Sequence, residues 1–206
     1  MKLKTVIAAA LVAMPAAVRA QSADTLSLDG RSALAFGLGL TSRSSTSASL
    51  TGASSSASGQ IGSLEFTHWF RPVVAFQVSA SVLGAEATST PGQVHDNTLT
   101  PILAGFSISP RSFALSRNAR PYLSAQVGPY IHTVSDVVGS STSNTVETSF
   151  GARFGAGVNW FIARHFLLGA DLNYHAVGEF DHPDAITKHP SGFGASVLIG
   201  FAWGGR

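Results

Sequence analysis

The chain has 206 residues, 13 of them basic and 11 acidic, a formal charge of +2 and no cysteine. That length suits one domain, and the absence of thiols excludes disulfides, thiolate metal sites and a lipidated cysteine. The small positive charge gives no argument for a nucleic-acid partner, because it resides in the first residues.

Those residues, "MKLKTVIAAALVAMPAAVRA", join Lys2 and Lys4 to an apolar run from Val6 to Ala13, a break at Pro15, and small Val18 and Ala20 at a cleavage-site spacing. This is the pattern of a secretory signal peptide over residues 1–20, with the mature chain starting at Gln21. The apolar run is far shorter than the roughly 20 residues a membrane-spanning helix needs. Loss of Lys2, Lys4 and Arg19 lowers 13 basic residues to ten against 11 acidic, a net charge of −1.

After a short segment over 21–30, period-two alternation begins and continues to the end of the chain. "RSALAFGLGLTS" sets Leu34, Phe36, Leu38 and Leu40 against Ala33, Ala35, Gly37, Gly39 and Thr41, which is a strand. "QIGSLEFTHWF" sets Leu64, Phe66 and Phe70 against Ser63, Glu65, Thr67 and Trp69. "VVAFQVSASVLGA" sets Phe76, Val78 and Val82 against Gln77, Ser79 and Ser81, and "TLTPILAGFSIS" sets Ile102, Phe106 and Ile108 against Gly105, Ser107 and Ser109. "YLSAQVGPYIHTV" sets Leu123, Val127 and Ile131 against Ser124, Gln126, Tyr130 and His132. "SFGARFGAGVNWFIARHFLLGADLNYH" supplies two strands, and "GFGASVLIGFAW" the last, giving eight strands and no amphipathic helix.

The connections differ at the two ends. After the second, fourth and sixth strands they are "RP", "PRSFALSRNARP" and "IARH"; after the first, third, fifth and seventh they read as long polar loops, the first of them the low-complexity "SRSSTSASLTGASSSASGQ". This is an up-and-down meander.

Charge decides which face meets what. A soluble surface carries roughly 25–35% charged residues, yet the Gly/Ser/Ala face of these strands holds only Glu65, Arg153 and Asp171. Placing the large apolar face in lipid and the small face in a narrow lumen removes the conflict, and predicts an all-β, eight-stranded antiparallel transmembrane barrel. Eleven tilted residues span roughly 25 Å, the height of such a barrel's apolar band. Interfacial aromatics are expected in two girdles: Trp69, Phe70, Tyr122, Trp160, Phe161, Phe166 and Trp203 toward the short turns, and Phe150, Tyr174 and Phe193 toward the long loops.

"RPYLSAQVGPYIHT", "FGARFGAGVNWFIARHFLLGADLNYH" and "GASVLIGFAW" resemble the small outer-membrane barrels of the OmpA-like, OmpX and OmpW kind, the outer membrane protein β-barrel domain family. The resemblance covers about Arg31 to Trp203. It implies the outer membrane, both termini in the periplasm, long loops at the cell surface and insertion by the barrel assembly machinery; outer-membrane lipid and lipopolysaccharide are the expected partners, and a monomer the expected state. Residues 21–30 would then be a short periplasmic segment and 31–206 the barrel. "GGR" after Trp203 departs from the usual aromatic C-terminus.

On this axis Arg31, Arg71, Arg111, Arg117, Arg120, Arg164 and Arg206 lie on the periplasmic side. Glu86, Asp96, Asp136, Glu147, Glu179, Asp181 and Asp184 lie in the outer loops, offset by Arg43 and Lys188. Solvated loop charge is the plain reading. His95 with Asp96, and His182 between Asp181 and Asp184, are the candidates for a divalent cation shared with lipopolysaccharide.

In the lumen phase Glu65, Arg153 and Asp171 are accompanied by Gln77, Gln126, His132, Asn159, Asn173 and His175. Counted from their short turns, the three charges lie about five, eight and six residues up, within reach of one arginine across a narrow lumen. Buried charges cost several kcal/mol unless paired, so a salt-bridged polar plug is expected. A lipid A deacylase of this class would show "HxSN", but "HAVG" places Val177 at the nucleophile position, and no cofactor motif appears.

Pro101 and Pro129 fall nearly opposite each other in strands four and five. Each removes a ladder donor, so a bulge or open ladder is expected there, with lateral access for an apolar molecule as one use. The expectation is a non-enzymatic barrel with a structural, surface-interaction or passive-transport role; the alternative is a narrow porin-like channel for ions or small, including apolar, solutes.

Overall fold

A computed structural model describes residues 27–45, 55–90, 93–110, 118–138, 141–162, 164–180 and 190–205. Strands β1 (Arg31–Ser45), β2 (Ser55–Trp69), β3 (Val74–Thr90), β4 (Gln93–Ile108), β5 (Ala119–Val138), β6 (Ser141–Phe161), β7 (Phe166–Val177) and β8 (Gly192–Gly204) are joined in chain order. All pairs are antiparallel, and β1 closes the barrel by pairing with β8. No described segment is helical.

Alternation sorts the side chains as charge balance requires. Leu38 is 76% exposed and Phe36, Phe106, Val127, Leu172 and Ile199 are exposed with it, whereas Leu198, in the opposite phase, is 2% exposed. A continuous apolar belt around a closed sheet suits hydrocarbon, where every backbone polar group must be satisfied internally.

The strands differ from the sequence expectation at one end. The polar stretches after the first, third and fifth strands, read as long loops, continue as strand: β1 and β2 reach Ser45 and Ser55, with Arg43 on β1; β3 and β4 reach Thr90 and Gln93; and β5 and β6 reach Val138 and Ser141. The β6–β7 ladder stops at Gly151↔Val177, while β5 and β6 continue from Pro129↔Phe150 to Val138↔Ser141. At roughly 3.3 Å per residue, these ten further pairs project roughly 30 Å along the strand. Large apolar residues no longer alternate in these outer ends, so no hydrophobic period marks the strand; the Thr and Val content of "STSNTVETSF" carries it instead. Glu86, Asp96, Asp136 and Glu147 therefore stand on strands rather than loops.

The ladder is open at both prolines, without a register shift there. On the β3 side of β4, pairing jumps from Ala80↔Ile102 to Leu83↔Leu99, leaving out Pro101; on the β5 side it jumps from Pro101↔Tyr130 to Ala104↔Val127, leaving out Pro129. The one register shift between β3 and β4 lies farther out, between Ala87 and Thr90.

Candidate functional site: a layered lumen

The inward face of the barrel is stacked in three layers. Nearest the short turns, Leu28, Trp69, Phe161, Leu167 and Leu198 form an apolar cluster with small alanines. Trp69 and Phe161 are 3% and 1% exposed, their rings edge-to-face at 6.0 Å. Leu28 enters from outside the strands. A turn closed by Arg31 N–H donating to Leu28 O (3.1 Å), with Gly30 at φ 70°, folds the N-terminal segment into the mouth. That left-handed φ is one few residues but glycine adopt. The Arg31 guanidinium lies over the Phe161 ring at 5.4 Å.

This corrects part of the expected girdle. Trp69, Tyr122 and Phe161 point inward and are buried, whereas Phe70, Phe166 and Trp203 are exposed on the lipid side and Trp160 is half-buried in the outward phase. Parity decides: Trp69 shares the phase of Glu65, and Phe161 that of Asn159. At the end of a narrow barrel large rings fill the taper, so position near a turn does not by itself make an aromatic interfacial.

The middle layer is polar. Arg153 on β6 donates Nη2 to Asp171 Oδ2 at 2.5 Å, and Nη1 to Glu65 Oε2 at 3.5 Å and Gln126 Oε1 at 3.4 Å. Gln77 Nε2 donates to Glu65 Oε1 at 2.9 Å, and Gln126 Nε2 to Gln77 Oε1 at 3.4 Å, closing a ring of four side chains. Thr67 also donates to Glu65, and Ser79 to Gln126. Asp171 accepts from Asn173 Nδ2 (2.7 Å) and from Tyr122 OH (2.9 Å).

Tyr122 reaches that carboxylate because of a glycine. The register runs Tyr122↔Gly157 and Gly157↔Asp171, so the phenol lies across Gly157 to the next strand; a Cβ on Gly157 would sit 2.6 Å from the tyrosine Cζ. Gly151 plays the same part for Tyr130, whose OH meets His175 Nδ1 at 2.9 Å.

Of the nine lumen residues expected from phase, Glu65, Gln77, Gln126, Arg153, Asp171 and Asn173 thus stand in one hydrogen-bonded network. His175 adjoins it through Tyr130. His132 is buried farther out against the Phe180 ring (5.0 Å), and Asn159 is buried nearer the short turns.

The outer layer is apolar again: Ile61, Leu83, Leu99, Leu103, Tyr130, Val177 and Phe180. Phe180, from the segment after β7, folds over this mouth as Leu28 folds into the other. Sequence reading missed both apolar layers. Their signal was present in phase, since Leu99 and Leu103 share the parity of Ser107, Leu167 that of Asp171, and Leu198 that of Ser196.

Of the cation candidates, His95 and Asp96 lie on β4, opposite Asp136 and Ser135 of β5. Asp181, His182 and Asp184 lie outside the described residues, as does the expected signal peptide. Among the described residues no group of three His, Asp or Glu side chains is set to hold a metal.

The model of the family described as "Outer membrane protein beta-barrel domain" matches residues 6–200. Among solved structures the chain is similar to the outer membrane protein OprG from Pseudomonas aeruginosa (15% identity, TM-score 0.62, covering 89% of this chain and 100% of that one). It is also similar to Neisserial surface protein A (18%, 0.58, 84% and 96%) and to Ail, the attachment invasion locus protein of Yersinia pestis (13%, 0.56, 85% and 99%). Among curated proteins none matches the chain.

Proposed function

Because the chain belongs to the outer membrane protein β-barrel domain family and is an outer-membrane barrel, we propose that it is a closed, non-enzymatic barrel that anchors a projecting sheet at the cell surface. The observation that carries this is the stacking of two apolar layers around a cross-linked polar one among the described residues. An eight-stranded interior has room for side chains and little else. The sheet of β3–β6 stands above the exposed aromatics Phe150, Tyr174 and Phe193.

The neighbour Ail has been crystallised with the heparin analogue sucrose octasulfate (12% identity, TM-score 0.54). The projecting strands here carry Glu86, Asp96, Asp136 and Glu147, which repel a polyanion and favour a cationic partner or a cation-bridged contact with lipopolysaccharide. Signal-peptide cleavage after Ala20, insertion by the barrel assembly machinery and a monomeric state belong to the same proposal. Liposome swelling tests closure: vesicles carrying the refolded barrel should swell in small sugars no faster than protein-free vesicles, and sugar-permeable vesicles would refute it.

The open ladder at Pro101 and Pro129 supports a second reading, a side path for small apolar solutes. The apolar residues Leu99 and Leu103 lie beside the gap. Replacing both prolines with valine restores two donors. Uptake of an apolar fluorescent probe should then fall; unchanged uptake would remove this reading.

A further inference from the structure

Against the polar layer lies a cavity of about 10 Å³, room for one water-sized occupant. It is bordered by the side chains of Ser63, Ser81 and Ser196, by Asn173, by Glu65 and by Arg153. Asn173 is 6% exposed and its Oδ1 has no hydrogen-bond partner among the described residues, although its Nδ2 is engaged by Asp171. A buried acceptor left without a donor points to an occupant that supplies positive charge or a proton.

With both carboxylates ionised, the charges around the cavity do not balance. The layer holds two carboxylates, Glu65 and Asp171, and one guanidinium. Arg153 is committed to Asp171 at 2.5 Å and reaches Glu65 only at 3.5 Å, so the carboxylate that borders the cavity is the less neutralised of the two. His175 also borders the cavity, with Nδ1 engaged by Tyr130. An excess negative charge enclosed between apolar layers is costly unless something cancels it.

We propose that this cavity is a binding site for one dehydrated sodium-sized monovalent cation, held by the Asn173 carboxamide oxygen, the Glu65 carboxylate and the hydroxyls of Ser63, Ser81 and Ser196. Hard cations take oxygen ligands of these kinds. The small space excludes a hydrated ion, and the donor set contains no sulfur. Gly37 of β1 pairs with Ser63 and leaves room for its hydroxyl, since a Cβ there would collide with Ser63 Oγ.

The test is thermal unfolding of the refolded mature chain in detergent, with sodium chloride exchanged for choline chloride at constant ionic strength. Wild type should gain a saturable rise in midpoint on the order of 5 °C in sodium. The Ser63→Ala/Ser196→Ala variant, which removes two hydroxyls from the cavity wall, should fold and lose that rise. It should also lose the broadening that wild type imposes on the sodium-23 resonance. A midpoint indifferent to sodium, or a rise that survives in the double variant, overturns the proposal. So does a midpoint that follows pH over about 5–8 and ignores sodium, because the balancing charge is then a proton on Glu65 or His175.

Discussion

Replacing Arg153 with methionine removes the one guanidinium of the polar layer while keeping most of the apolar volume of its stem. Asp171 would retain its bonds from Tyr122 and Asn173, and Glu65 those from Gln77 and Thr67, but both carboxylates would lose their cationic partner. Breaking a buried ion pair by deleting one partner costs about 3–5 kcal/mol, because the other charge is left uncompensated. Urea unfolding of the refolded barrel in lipid vesicles, followed by tryptophan fluorescence, reads this loss as a lowered midpoint at unchanged slope. The charge-free triple variant Glu65→Gln/Arg153→Met/Asp171→Asn should recover most of it, since replacing a buried ionic cluster as a whole is often close to neutral. A loss under about 1 kcal/mol for Arg153→Met is the value of an exposed, screened pair. That result would refute the claim that these ion pairs are buried from bulk solvent.

Three further outcomes use the same assay. Tyr122→Phe deletes one hydrogen bond to a charged acceptor and should cost about 1.5–3 kcal/mol; an interfacial tyrosine would cost almost nothing. Trp69→Ala opens the inner apolar layer and should cost about 3–5 kcal/mol, against a much smaller loss for exposed Phe70→Ala. Leu38→Arg, at the centre of β1 and on the lipid face, should cost about 2–4 kcal/mol if it lies at the bilayer midplane; a neutral effect would place that face in water.

The faces of the barrel were legible because alternation is strict and charge is scarce. With period two, one observation about the Gly/Ser/Ala face settles every strand, and Glu65, Arg153 and Asp171 emerge together from parity and distance to their turns. Trp69, Phe161 and Tyr122 were misread because nearness to a turn was allowed to outweigh parity. The projecting ends of β3–β6 were hidden for a different reason: polar residues occupy both phases there, so no hydrophobic alternation marks the strand. The apolar layers went unrecognised because Leu99, Leu103, Leu167 and Leu198 sit in a phase otherwise given to small and polar residues. Leu28 and Phe180 lie outside the strands, where no periodicity applies. The hydrogen-bond partners themselves, such as Tyr122 with Asp171 across Gly157, depend on register, which no single strand encodes.

Single-channel recording of the refolded wild-type barrel in a planar bilayer tests the closed lumen most directly. Two apolar layers flanking a cross-linked polar one predict a silent membrane across the usual voltage range. Reproducible ohmic openings in wild type, lost or altered in Arg153→Ala, would contradict it.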